Sequence, residues 1–303
     1  MEAVLTKAGA FIAIIALGAV LRMIGFFKEG DFALLGKISL RITLPAAIIT
    51  NFSGTTIRPS LLIVAALGLG MGLLCMAVGY VVNLKKDRAY RAFEVLNLTG
   101  CNVGALTSPF LQGFLGPQAV VVGSLFDVGN AAMGLGTSYA VASAIRDGKG
   151  FSLKRILKAL RTAVALMTYV VMVILTLLEI RLPGPFLSLV KPVGDANTFV
   201  AMLMIGVGFR IKADKRQLGR LTKMVLLRYS IATVLALLFW FCLPYERLVR
   251  LTLVILAYSP IITAAPAFTG ELRGDVGLSS AFNSICMAVS ICIYVAVFSF
   301  GNV

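Results

Sequence analysis

Ten apolar stretches follow one another along this 303-residue chain, separated by short charged connections. A helix crossing a hydrocarbon core of about 30 Å needs roughly 20 apolar residues, and the stretches are of that order. They run over 4–27, 33–56, 60–84, 94–114, 118–145, 156–180, 184–209, 219–242, 247–269 and 276–300. No globule of this size could be solvated by so little polar surface: 59% of the residues are hydrophobic, 14% are charged and the mean hydropathy is +0.95. The expectation is an all-α multi-pass membrane protein with no soluble domain. Val4 to Phe27 is too long for a signal-peptide core, follows acidic Glu2 and lacks a small-residue cleavage end, so it reads as the first span.

Composition also removes chemistry. There is no histidine, the side chain most used for zinc ligation, for proton relay near neutral pH and for activating serine. Cys75, Cys101, Cys242, Cys286 and Cys292 are odd in number, sit in apolar surroundings and have no CxxC spacing, which suggests packing rather than disulfides or metal. No paired aspartates lie at depth and no Asp-rich diphosphate motif is present, so an intramembrane enzyme is poorly served. No cofactor is expected. Gly68-Leu69-Gly70 looks like a nucleotide loop only superficially, because it lies within hydrocarbon and no strand precedes it.

The net charge of +15 is explained by orientation. With the N-terminus outside, alternate connections carry twenty of the 28 basic residues and the opposite side carries six; Arg41 and Arg228 lie inside spans. The positive-inside rule therefore puts both termini outside, and no nucleic-acid partner is needed to account for the charge. Arg41 and Arg228 are expected to snorkel to the cytoplasmic phosphates, and Glu94 to mark the edge of the fourth span. Lys191 and Asp195 have the spacing of a surface i,i+4 pair.

The longest basic connection, Arg146 to Arg161, divides the chain into a first half, 1–145, a central cytoplasmic segment, 146–163, and a second half, 164–303. Five spans in each half oblige the second to insert upside down. Inverted repeats of this kind are a transporter signature. Ser108-Pro109 in the fourth span is followed at a similar interval by Asn130 as Ser259-Pro260 in the ninth is by Asn283.

Asp127 is the carboxylate buried deepest in an apolar stretch. An ionised carboxylate at such depth is costly unless water or a partner meets it. Ser124, Asp127 and Asn130 recur every three residues, with Gly134 four further on, giving one polar and small helix face. The carboxylate is either interhelical glue or a protonatable, cation-binding group in a transport path. The fourth, seventh and ninth spans are weakened by Asn102 and Pro109, by Pro192 and Asp195, and by Pro260 and Pro266. Unwinding is expected near Pro109 and Pro260, exposing carbonyls that attract cations and a half-helix N-terminus that attracts anions. The glycines around 68–72 and 129–136 read as close-packing faces.

The run Gly100 to Gly116, the early Leu44-Pro45-Ala46 and the segment Ala257 to Asn283 resemble the auxin efflux carrier family of membrane transporters, within the bile-acid, arsenite and riboflavin transporter superfamily. The resemblance implies ten helices in two inverted five-helix repeats with a bile-acid-symporter-like arrangement. Spans 1, 2, 6 and 7 would form a scaffold, and spans 3–5 with 8–10 a moving transport domain. Helices four and nine would be crossed and broken, with crossover prolines at Pro109 and Pro260 and polar site residues at Asn102 and Asn130; Asn283 follows by the repeat. The long central loop of plant members is missing, which favours a small bacterial-type inner-membrane carrier over one for auxin itself. The expected substrate is a small organic anion such as a mono- or dicarboxylate, moved by alternating access, with H⁺ or Na⁺ as the coupling ion if Asp127 titrates. The bilayer and a second copy in a homodimer are the remaining partners. A sodium-coupled bile-acid-like symporter is the alternative within transporters; a channel or membrane sensor is the alternative outside them.

Overall fold

The computed structural model describes residues 2–28, 30–53, 55, 58–147, 153–209 and 217–300, and among these the regular structure is entirely helical. The α-helices in chain order are α1 (Glu2–Met23), α2 (Asp31–Ile38), α3 (Leu44–Phe52), α4 (Ile63–Val81), α5 (Arg88–Leu98), α6 (Ser108–Phe114), α7 (Pro117–Ala132) and α8 (Ser138–Asp147). They continue with α9 (Leu153–Thr162), α10 (Val164–Leu177), α11 (Gly184–Gly208), α12 (Leu218–Cys242), α13 (Arg247–Ala257), α14 (Ala265–Glu271) and α15 (Val276–Phe300). Lys149, Arg210, Lys212, Lys215 and Arg216, part of the basic connections that set the expected orientation, lie outside the described residues.

Among the described residues, six helices are long and apolar enough to cross a membrane, over Thr6–Met23, Asp31–Phe52, Ser60–Val81, Pro117–Asp147, Leu218–Cys242 and Val276–Ser299. Such a set is compatible with a multi-pass membrane protein. The outward faces agree: on α12, Leu226 is 63% and Phe241 74% exposed, with Val234, Leu237 and Leu238 exposed between them. A water-facing helix does not present such a stripe. Of the four remaining expected spans, the fourth and ninth are each divided into two short helices, α5 with α6 and α13 with α14.

Two expectations about helix integrity need correction. The seventh span is continuous: α11 carries Pro192 in its interior without a break. The carbonyl that this proline strips of its donor belongs to Ser188, on an exposed turn, so the loss is not buried. Lys191 and Asp195 flank the site as the expected exposed pair at 2.6 Å. The sixth span starts later than residue 156, because α9 ends at Thr162 and an extended Ala163 separates it from α10. The LKRILKALRT stretch of α9 alternates charged and apolar residues at helical spacing, which suits a separate amphipathic helix rather than a span interior.

Helices pack where glycine lets backbones touch. A Cβ on Gly129 of α7 would overlap the carbonyl oxygen of Ala65 on α4, and one on Gly68 of α4 would overlap that of Phe126 on α7. Gly18 of α1 and Gly206 of α11 hold the same relationship to Leu203 and Ile15. Lipid tails offer no hydrophobic drive for helix association, so close van der Waals approach carries the packing. The heaviest packing falls into two groups, α1, α2, α3, α10 and α11 in one and α4 to α8 with α12 to α15 in the other, and α3 on α7 joins them. Between the groups, Phe11 of α1 meets Phe110 of α6 edge-on at 5.1 Å and Phe114 edge-on at 5.7 Å.

Candidate functional site

The chain leaves helical geometry after Leu98. Thr99 Oγ1 turns back to donate to the Val95 carbonyl at 2.6 Å, and Gly100 adopts φ +85°, a left-handed conformation that a side chain would strain. An added Cβ at Gly100 would also sit 2.9 Å from Gly134 Cα and 3.0 Å from Ile262 Cγ2. The freed backbone of Cys101 is then paired by a side-chain amide. Asn130 Oδ1 accepts from the Cys101 N–H at 2.7 Å, and Asn130 Nδ2 donates to the Cys101 carbonyl at 2.8 Å. Unwound backbone survives in hydrocarbon only when such partners exist.

The next backbone group meets the second interruption. Asn102 N–H donates to the Pro260 carbonyl at 2.8 Å, within the non-helical residues that separate α13 from α14. Thr107 Oγ1 lies 2.6 Å from Ser259 Oγ and 2.9 Å from the Tyr294 hydroxyl, tying the same junction to α15. Helix resumes at Val103 as one widened, π-helical turn, Val103–Thr107, which leads directly into α6. The expected unwinding near Pro109 is therefore misplaced. Pro109 lies within the helix that resumes at Val103, where the widened turn before it gives the ring room, and the interruption is set by Gly100 instead.

Beside the junction lies a cavity of about 360 Å³. Asn102 to Ala105, where helix resumes after the first break, and Ile262 to Ala264, which lead into α14, form part of its wall, together with Asp127, Asn130 and Gly134 from the fifth span. Leu40, Arg41 and Leu44 and the α9–α10 junction Thr162 to Leu166 close the other side. Asn102 is 5% exposed, and its Nδ2 is a buried donor without a partner among the described residues. Asp127 Oδ1 accepts from Asn130 Nδ2 at 2.8 Å, and the Tyr169 hydroxyl also faces this carboxylate. A cavity with helix N–H groups and a spare amide on one side and a carboxylate on the other can hold an anionic group while keeping a site for a proton.

Of the residues singled out from the sequence, Asn102, Asp127 and Asn130 come together on this wall. Pro260 holds the junction from behind through its carbonyl, and Pro109 and Asn283 do not line the cavity. Asn283 is buried on α15, and its Oδ1 has no partner among the described residues. Arg41, expected at the phosphates, is exposed and borders the cavity.

Two charged residues are placed otherwise than expected. Glu94 is buried rather than at an edge, and it accepts from Arg220 Nε at 2.9 Å while that guanidinium lies 3.7 Å above the Tyr90 ring. Arg228 does not snorkel: it is 1% exposed and points into the junction of the interrupted helices. A signal for it was present in the sequence. Nine residues separate it from the start of its stretch at 219, about 13 Å at 1.5 Å per residue, which is close to the midplane of a core about 30 Å thick. The sequence matches no protein-family model and no curated protein.

Proposed function

We propose that this protein is a secondary carrier that moves small organic anions, mono- or dicarboxylates, across a cell membrane by alternating access. The reading takes the chain as ten spans in two inverted five-helix repeats, with both termini outside, in the manner of the auxin efflux carriers it resembles. One observation carries it: the two interrupted helices meet through Asn102 N–H and the Pro260 carbonyl beside a cavity that offers a buried amide with no partner among the described residues. Broken helices joined at a ligand cavity are the construction that secondary carriers use, because half-helix ends supply charge without a buried ion. The two packing groups of helices support a scaffold of spans 1, 2, 6 and 7 and a transport domain of the rest. In this reading Asn102 and the N–H groups from Val103 onward bind the carboxylate, Asn130 positions the unwound Cys101, and Asp127 carries the coupling proton where accumulation is proton-driven.

The test is an uptake screen of mono- and dicarboxylates in proteoliposomes, with and without H⁺ and Na⁺ gradients. Saturable uptake of at least one carboxylate is expected. Asn102→Ala is expected to raise KM at least about tenfold, the worth of one hydrogen bond to a charged group. Asp127→Asn keeps an acceptor for Asn130 and is expected to remove dependence on the proton gradient while leaving exchange intact. Non-saturating flux at channel rates, or uptake of no carboxylate, overturns the carrier reading.

A further inference from the structure

Arg228 of α12 reaches the place where both first half-helices end. Its Nη1 donates to the Leu98 carbonyl at 3.2 Å, at the C-terminus of α5, and its Nη2 to the Ser259 carbonyl at 2.8 Å, just past the C-terminus of α13. The remaining Nη hydrogens go to two sulfurs, Cys75 Sγ and Cys101 Sγ, each at 3.1 Å. Among the described residues no carboxylate pairs with this guanidinium. A fully buried cation without a counter-ion is prohibitive unless other negative charge faces it. Two helix C-termini supply that charge, about half an elementary charge each, so their sum matches one guanidinium.

The junction is thereby sorted by sign. The C-terminal ends of α5 and α13 face Arg228, and the starts of the following half-helices face the cavity. In carriers with broken helices, unwound carbonyls and half-helix C-terminal ends are the groups that coordinate a coupling cation. Here those acceptors are already taken by a side chain. We propose that Arg228 is a tethered cation that does at this junction what a bound metal ion would do, so that the two interrupted helices are held together without Na⁺. The inference concerns how the junction is held, and it stands whether or not the substrate is an organic anion.

The test uses the purified full-length protein in detergent and reads thermal unfolding, which needs no substrate. Wild type is expected to unfold at the same temperature in sodium, potassium and choline chloride at equal ionic strength. Arg228→Met, which keeps the length and loses the charge, is expected to lower the midpoint by at least about 5 °C, and Arg228→Lys, which keeps the charge, by clearly less. Stabilisation of wild type by Na⁺ over both K⁺ and choline overturns the proposal. So does an equal loss in the Lys and Met variants, which would make the role one of shape. Should Arg228→Met fail to fold, the wild-type cation comparison and a folded Arg228→Lys decide the matter on their own.

Discussion

The backbone N–H of Asn102 and the carbonyl of Pro260 are each other's partners across 2.8 Å, one from each half of the chain. In an apolar interior an unpaired amide or carbonyl costs several kcal/mol, so each interruption satisfies what the other leaves open. Pro260 suits the position because it brings an acceptor to the junction and no second donor.

Replacing this proline by alanine adds a buried N–H among groups already paired. Pro260→Ala is expected to destabilise by about 1–3 kcal/mol, the cost of an unsatisfied buried donor, and to abolish any substrate-induced rise in melting temperature. Pro109→Ala, within the helix that resumes at Val103, is expected to keep both properties. Differential scanning fluorimetry on the two variants separates them, and equal effects would contradict the placement of the break at Gly100.

Glycine at two positions is required for different reasons. Gly100→Ala strains a left-handed backbone, by about 1–2 kcal/mol, and pushes Ile262 away from Gly134. Gly129→Ala drives a methyl into the Ala65 carbonyl and separates α4 from α7, with an expected loss of about 1–3 kcal/mol or more. Gly70→Ala meets no atom within 4 Å and is expected to be neutral or slightly stabilising. Unfolding midpoints should fall most in Gly129→Ala and less in Gly100→Ala, with Gly70→Ala at or above wild type.

The Glu94–Arg220 pair couples α5 to α12 from a buried position. Arg220→Met leaves the carboxylate uncompensated and is expected to cost about 3–5 kcal/mol, whereas Glu94→Gln with Arg220→Met recovers much of that loss. A double-mutant cycle in unfolding free energy checks the pair; additive single losses would show that the two side chains act separately.

Acid stability should be governed partly by Asp275, in the connection before α15. Its Oδ1 accepts from the Leu278 N–H at 2.9 Å and its Oδ2 from Gln217, and the backbone hydrogen bond above all holds its carboxyl below the usual carboxylate range. A group whose pKa is depressed by folding contributes stability that is present above its unfolded value and is lost as pH falls through the folded value. Melting temperature is therefore expected to decline below about pH 4. Asp275→Asn, which retains a good capping oxygen, should flatten this decline, and Asp275→Ala should lower stability at neutral pH as well. A pH series of melting curves reads all three, and an unchanged acid slope in Asp275→Asn would remove Asp275 from the account.

Legible from the residues alone were the apolar helical character, the shared helix face of Asp127 and Asn130, and the small-residue faces around 68–72 and 129–136. These are local properties: periodicity and side-chain size act within one helix or along one face, and no distant residue is needed to read them. Contacts across the fold were needed to show that Gly100 rather than Pro109 ends the helix, that α11 runs straight through Pro192, and that Arg228 turns inward. Each of those outcomes depends on what a backbone carbonyl, a freed amide or a guanidinium meets across the fold. Leu98 and Ser259 become partners of Arg228 only when the two halves of the chain have come together.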